Sequence, residues 1–189
     1  MSEHHNSQGY ISIDEVVEAV RWLKDSRPYM FDRQHKFFGS FGGYLDWIQF
    51  LFEDRFYING EETDAGGLAQ EDFRILHVHR QRWLNRDRLS NVAIMIHELA
   101  EGYMVANDFV YWPTYSHVIA EHFEGDFRTE RNLPSCPVSP LPLDLIPFMR
   151  GFERELEQKI GNMEHKDVER LMDQYPTLKN YAWKRVVLF

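Results

Sequence analysis

Hydrophobic residues recur at helical spacing along most of the chain and predict a mainly helical fold. An apolar repeat from Val16 to Leu23 follows a capping-box pair, Ser12 and Glu15, and predicts a first helix over residues 13–24. The same spacing predicts later helices that begin near Asp87 or Ser90 and at Thr114, and further helices over residues 148–159 and 166–174.

Two short segments before the central helices show strand signals. Residues 56–58 run into Asn59-Gly60, a pair typical of hairpin turns. Residues 73–80 alternate, with His77 and His79 on one face, which predicts an edge or half-buried strand. We therefore predict an α+β fold, a mainly helical single domain with a small antiparallel sheet or hairpin before the central helix.

The remaining segments suggest how the domain is organised. Residues 1–9 predict a flexible polar tail, and residues 10–189 predict a single globular domain without internal repeats. Five prolines in residues 133–147 predict an extended loop that wraps the surface. The aromatic-rich residues 44–52 predict a buried helix, and the apolar residues 183–189 predict a docked tail or a last strand.

Composition narrows the classes of function. The net charge of −9, without a basic stripe, argues against a nucleic-acid partner. Cys136 is the one cysteine, so no intrachain disulfide can form and a reducing compartment is expected. There is no signal-peptide core, and no run approaches the roughly 20 apolar residues that span a bilayer. We expect a cytoplasmic protein, or one associated with a particle that is assembled in a cytosol, with no membrane contact and with a protein or peptide as its partner.

The most informative motif is His97-Glu98-Leu99-Ala100-Glu101, in an apolar helical stretch over residues 92–105. Positions 97 and 101 lie one helical turn apart, so an imidazole and a carboxylate can converge on one ion. Glu98 then lies beside that ion, where a general base would stand.

The next helix repeats this chemistry. His117, Glu121 and Glu124 share one face at positions i, i+4 and i+7, so two antiparallel helices would present nitrogen and oxygen ligands to one cavity. Five of the nine histidines lie between positions 77 and 122. Of these, His77 and His79 are predicted to be strand-face residues, and His122 is predicted to face solvent.

The motif resembles that of the zincin metalloproteases, which carry His-Glu-x-x-His on an active-site helix. In the gluzincin branch a glutamate ligand lies twenty positions after the second motif ligand, and Glu121 lies at that position here because 121 − 101 = 20. The resemblance implies His97 and Glu121 as ligands and Glu98 as the base. Over about thirty residues the chain also resembles small phage proteins with His-Glu-Leu-x-Glu, through Met104, Tyr111 and the segment that starts at His117.

Together these observations predict a metal-dependent, peptidase-like hydrolase, active or catalytically degenerate. The predicted ligands of one divalent ion are His97, Glu101, His117 and Glu121, and the predicted catalytic base is Glu98. Zinc is the first choice of ion. A glutamate in place of the second histidine makes the site harder, which leaves manganese, iron or magnesium as alternatives.

Two alternatives from other classes stay open. Glu98-x-x-Glu101 and Glu121-x-x-Glu124 resemble the paired acidic motifs of the all-helical, magnesium-dependent nucleotide pyrophosphohydrolases, although the strand-like segments fit that family poorly. The other alternative is a non-enzymatic interaction or structural protein of phage type. In such a protein the two helices are partly buried and are linked only by hydrogen bonds.

Overall fold

The computed structural model describes residues 13–31, 41–58, 61–63, 67–70, 75–106, 114–136, 141–159 and 165–186. Most of these residues are helical. The helices are α1 (Ile13–Ser26), α2 (Pro28–Phe31), α3 (Phe41–Trp47), α4 (Arg80–Asn85), α5 (Arg88–Ala106), α6 (Thr114–Glu130), α7 (Ile146–Lys159), α8 (His165–Met172) and α9 (Pro176–Val186). The strands are β1 (Gln49–Glu53), β2 (Phe56–Ile58), β3 (Glu61–Thr63), β4 (Gly67–Gln70) and β5 (Ile75–His79).

The strands form one three-stranded sheet and one hairpin. In the larger sheet β5 is central, pairing in parallel with β1 and antiparallel with β4. β2 and β3 pair antiparallel on either side of the predicted Asn59-Gly60 turn, whose own residues lie outside the described part. The predicted α+β class and the hairpin are confirmed, whereas β5 has partners on both edges and one of its pairings is parallel.

The prediction for residues 44–52 was wrong, and of the two alternatives for residues 183–189 the last strand is not formed at residues 183–186, because distant packing decides these short segments. Residues 44–52 were expected to be one helix, but α3 ends at Trp47 and residues 49–53 form β1, which pairs with β5 across the sheet. Residues 183–186 are helical rather than a strand, because α9 buries Leu178 and Ala182 against the core.

The central helix α5 is a core helix. Its first turn is capped by Asp87, whose Oδ1 accepts a hydrogen bond from the backbone N–H of Ser90 at 2.9 Å. Fourteen of its 19 residues are buried, between α1 on one side and α6 on the other. Because a helix buried all round has no solvated face, its polar side chains must find partners inside the protein.

Helix α6 lies between two layers of helices and ends in a tight turn. Asn132 has a φ of 54°, and this left-handed residue lets the N–H of Leu133 return to the carbonyl of Arg128 at 2.8 Å. The turn brings the chain back along the last turn of α6. It lies at the start of the predicted loop 133–147, and α7, which begins at residue 146, takes up the last two residues of that loop.

The other predicted segments are only partly covered. Residues 1–9, 107–113, 137–140 and 187–189 lie outside the described part of the chain. Helices α7 and α8 confirm the two predicted C-terminal helices, with starts that differ by one or two residues. Within the described ranges, no helix combines the length and the hydrophobicity needed to cross a membrane.

Candidate metal centre

Packing of α5 against α6 brings the two halves of the motif together. On α5, His97 contacts Glu124, and the later residue Glu101 contacts His117, which precedes Glu124 on α6. The two helices therefore run antiparallel, as predicted. Both helices contribute one imidazole and at least one carboxylate to the same buried space. We call His97, Glu101 and His117 the α5–α6 triad.

The triad presents three ligand atoms at nearly equal separations. Nε2 of His97 lies 3.2 Å from Nδ1 of His117 and 3.4 Å from Oε2 of Glu101. The third edge, from Nδ1 of His117 to Oε2 of Glu101, is 3.2 Å. Four ligands placed tetrahedrally at about 2.0–2.1 Å from zinc are separated by about 3.3–3.4 Å. The three atoms therefore have the spacing of one face of such a tetrahedron.

Each triad histidine has a second carboxylate on its other ring nitrogen. Nδ1 of His97 lies 3.1 Å from Oε2 of Glu124, and Nε2 of His117 lies 3.4 Å from Oε1 of Glu121. Glu121, which the sequence predicted as a ligand, thus contacts the outward nitrogen of His117 and does not join the triad. Its other oxygen, Oε2, accepts a hydrogen bond from the Tyr181 hydroxyl of α9 at 3.4 Å.

Glu124 and Arg128 lie next to the triad but were not in the predicted ligand set. Nε of Arg128 donates to Oε1 of Glu124 at 2.8 Å, and both side chains are 5% exposed. The signal for Glu124 was its place at i+7 from His117 on one helical face. Arg128 follows Glu124 by one further turn on that face.

Carboxylates dominate the charge of this buried region. Glu98, Glu101, Glu121 and Glu124 are all buried, and Arg128 is the cation paired with them in the ion pair just described. With neutral imidazoles and all four carboxylates ionised, these five groups sum to −4 + 1 = −3, and a proton on Glu98, whose pKa is about 7, makes the sum −2. Because buried charge is costly unless it is compensated, the region favours protons or a cation at the triad.

The pKa values show how protons can satisfy this demand. Burial lowers the pKa of His117, but the charge of Glu101 and hydrogen bonds to Glu101 and Glu121 together outweigh it and raise that pKa to about 9. For His97, burial is likewise outweighed by hydrogen bonding to Glu101 and Glu124, and the pKa lies well above the usual 6.5. Burial raises the pKa of Glu101, yet the charges of His117 and His97 and their hydrogen bonds together bring it down to about 2. Two imidazolium protons carry as much charge as one divalent ion.

Glu98 differs from the other three carboxylates. Within the described residues no hydrogen bond reaches its carboxyl group, although only 9% of the residue is exposed. Burial raises its pKa to about 7; the charge of His97 opposes the shift and that of Glu101 adds to it. A carboxyl group that titrates near neutral pH beside a ligand cluster is suited to accepting a proton.

A second group of ligand-type residues lies between α6 and α7. It contains His122, Asp126 and Glu153, with Nε2 of His122 2.9 Å from Oε2 of Glu153 and 3.6 Å from Oδ2 of Asp126. The prediction that His122 faces solvent was wrong: α7, which follows later in the chain, covers it, and it is 2% exposed. We call these three residues the α6–α7 group.

Arginine already occupies the centre of the α6–α7 group. The guanidinium of Arg27 contacts Oδ2 of Asp126 and Oε1 of Glu153, each at 2.5 Å. Tyr29 donates to the same Oε1 of Glu153 at 2.7 Å. A cleft of about 470 Å³, lined in part by these side chains, gives solvent access to the group. A metal ion would have to displace Arg27.

The remaining predicted histidines lie on β5. His77 and His79 are half-buried residues of that strand, as expected, and Nδ1 of His77 lies 2.6 Å from Oε2 of Glu53 on β1. Neither residue belongs to the two ligand-type groups found in the described chain.

Comparisons with known proteins give no family for this arrangement. No family model, no curated protein and no solved structure matches the chain. The chemistry of the α5–α6 triad is therefore argued from its own geometry.

Proposed function

We propose that the protein binds one divalent metal ion, zinc in the first place, through Nε2 of His97, Nδ1 of His117 and Oε2 of Glu101. The observation that carries the proposal is the triangle of these atoms, with edges of 3.2, 3.2 and 3.4 Å. Hydrogen bonding between protonated imidazoles and a carboxylate does not require two nitrogens to face each other at this distance. A shared ion gives both nitrogens a reason to converge.

The surrounding residues fit a dication. Two imidazoles and one carboxylate are a donor set that zinc uses in hydrolytic sites. The five buried groups around the triad carry −3 with neutral imidazoles, and a dication leaves −1. Arg86 adds a more distant positive charge. Burial and the charge of Arg128 lower its pKa, and the charge of Glu124 acts in the opposite direction.

We further propose that this site hydrolyses a peptide-like substrate with Glu98 as the general base. Three protein donors leave a fourth position for solvent or substrate, and a bound dication supplies Lewis-acid activation there. Glu98, buried next to His97 in sequence with a pKa of about 7, would accept a proton from the attacking water and return it to the leaving amine. His97 and His117 act as ligands and not as acids, since both nitrogens of each ring are engaged.

Glu121 and Glu124 have partners that make the nucleotide pyrophosphohydrolase alternative less favourable. That mechanism requires both glutamates to hold magnesium, but Glu121 contacts His117 and Glu124 is held between His97 and Arg128. A non-enzymatic scaffold would not require the ring nitrogens of His97 and His117 to converge on one oxygen of Glu101.

Metal content tests the binding proposal. The purified wild type and a His97→Ala/Glu101→Ala variant are dialysed against zinc, then against buffer, and analysed for metal per chain. We expect about one zinc in the wild type and less than a tenth in the variant. Equal, sub-stoichiometric metal in both proteins would overturn the proposal.

A Glu98→Gln variant tests the catalytic part separately. Because Glu98 is not a ligand, this variant should bind zinc with wild-type affinity while casein hydrolysis falls by about 100-fold or more. A wild type that binds zinc but cleaves neither casein nor nucleotides would favour the non-enzymatic scaffold. Magnesium-dependent nucleotide cleavage would instead favour the pyrophosphohydrolase.

A further inference from the structure

We propose that Glu124 and Arg128 are positioning residues, which hold the His97 ring with Nε2 directed at the metal. This inference rests on the proposed metal site and adds to it the residues that set the affinity of His97 for the ion. Neither residue touches the ligand triangle, so both act through His97.

The contacts form a continuous buried chain. Nδ1 of His97 lies 3.1 Å from Oε2 of Glu124, whose Oε1 accepts from Nε of Arg128 at 2.8 Å. Nη1 of Arg128 in turn donates to the carbonyl of Pro134 at 3.2 Å. That carbonyl is brought to Arg128 by the left-handed turn at Asn132. The carbonyl of Pro134, just past the end of α6, thereby fixes the side chain of Arg128, which is linked to the ligand His97 through Glu124.

The chain determines which nitrogen of His97 is free to bind. An imidazole with a metal on one nitrogen carries its proton on the other, and a carboxylate acceptor for that proton fixes both tautomer and ring orientation. Glu124 provides the acceptor at Nδ1 and therefore leaves the lone pair of Nε2 for the triad. Arg128 fixes the rotamer of Glu124 through the 2.8 Å contact from its Nε to Oε1, because a charge-assisted pair inside the protein is strong and directional.

The α6–α7 group supplies a matched control. There too a glutamate lies between an imidazole and an arginine: Oε2 of Glu153 is 2.9 Å from His122, and its Oε1 contacts Arg27. Glu153→Gln therefore removes a partly buried charge from the same kind of pairing. Because it lies on the other side of α6 from the triad, it should not change metal binding.

The test compares zinc affinity, measured by competition with a chelator of known affinity, among full-length variants. We expect Glu124→Gln to weaken binding by about 10- to 100-fold and Arg128→Met by about 10-fold, as is typical when the outer partner of a metal ligand is removed. Glu153→Gln should stay within about twofold of the wild type. In the zinc-loaded wild type, nitrogen NMR should show His97 as the Nδ1–H tautomer alone. In Glu124→Gln both tautomers of His97 should be populated.

Zinc affinities of Glu124→Gln and Arg128→Met within about twofold of the wild type would overturn the positioning role. So would an equal loss in Glu153→Gln, because the effect would then be one of general stability. Should Glu124→Gln fail to fold, Glu124→Asp decides in its place, because it keeps the charge but withdraws the carboxylate from Nδ1. A wild type that binds no zinc would instead refute the proposed metal site, which separates the two failures.

Discussion

Helix α6 carries two histidine–carboxylate clusters on opposite sides, and they differ in how their charge is compensated. In the α6–α7 group, Asp126 and Glu153 share Arg27, and Arg150 lies 3.7 Å from Oδ1 of Asp126. The charges of these four groups sum to −2 + 2 = 0. Around the α5–α6 triad, four carboxylates and Arg128 leave −3.

This difference teaches that a set of ligand-type side chains within reach of one another does not by itself make a metal site. The α6–α7 group contains such a set, yet both of its carboxylates already pair with the guanidinium of Arg27, and the cleft lets solvent screen their charge. The triad has two ring nitrogens facing one carboxylate oxygen, with surplus negative charge around them. In our proposal a dication, or protons in its absence, compensates the negative charge of the α5–α6 triad. The α6–α7 group has no such need.

The largest effect should come from removing the cation at the centre of the α6–α7 group. Arg27→Met leaves the partly buried Asp126 and Glu153 without their common partner, and we expect the free energy of unfolding to fall by about 3 kcal/mol. Urea unfolding measures the change. Zinc content should be unaffected. A loss of zinc together with this destabilisation would show that the two clusters are not independent.

Metal removal should destabilise through the triad. At a free zinc concentration of about 100 times Kd, binding adds about 2.7 kcal/mol, which corresponds to a rise in Tm of about 5–10 °C for a chain of this size. Thermal melts with zinc and with a chelator measure it. His97→Ala/Glu101→Ala should melt at the same temperature in both, and a shift in this variant equal to that of the wild type would place the metal elsewhere.

Acid should weaken the α6–α7 group through Glu153. Burial raises the pKa of Glu153, but its hydrogen bond with His122 and the charge of Arg27 outweigh it and lower the pKa below the usual 4.5. A lowered folded-state pKa contributes stability above pH 4.5 that is lost as pH falls through the folded-state value. Glu153→Gln should therefore cost about 1–2 kcal/mol at neutral pH and progressively less below pH 4.5 in urea unfolding. A cost independent of pH would contradict this.

The smallest change in stability is expected when the triad is converted to the arginine-centred type. His117→Arg places a fixed cation beside Glu101 and Glu121, as Arg27 lies between Asp126 and Glu153. We expect its stability without metal to stay within about 1.5 kcal/mol of the metal-free wild type. Zinc should no longer bind. Retained zinc binding at wild-type affinity would show that His117 is not a ligand.

Local spacing was enough to predict the core of the triad. His97 and Glu101 share a helical face, as do His117, Glu121 and Glu124, and the antiparallel pairing of two adjacent helices follows from the short link between them. What spacing could not decide was which carboxylate would face which nitrogen. Glu121 and Glu124 are three residues apart, and each residue turns about 100° around α6, so the two side chains leave the helix in different directions. Side-chain packing decides which nitrogen each of them contacts.

Contacts with remote elements account for the remaining errors. His122 lies on the side of α6 away from the triad, and nothing nearby in sequence indicated that Glu153 of α7 would cover it. The helix predicted over residues 44–52 was likewise overridden by pairing of β1 with β5. Such pairings depend on long-range contacts, for which the local pattern carries little signal.

The most direct test is the position of a bound metal in crystals of the wild type grown or soaked with zinc. Anomalous scattering at the zinc edge should show one peak, at about 2.0–2.2 Å from Nε2 of His97, Nδ1 of His117 and Oε2 of Glu101. No peak should lie at His122, Asp126 and Glu153, where Arg27 holds the centre. A peak at that second group, or none at the triad in zinc-saturated crystals, would contradict the account.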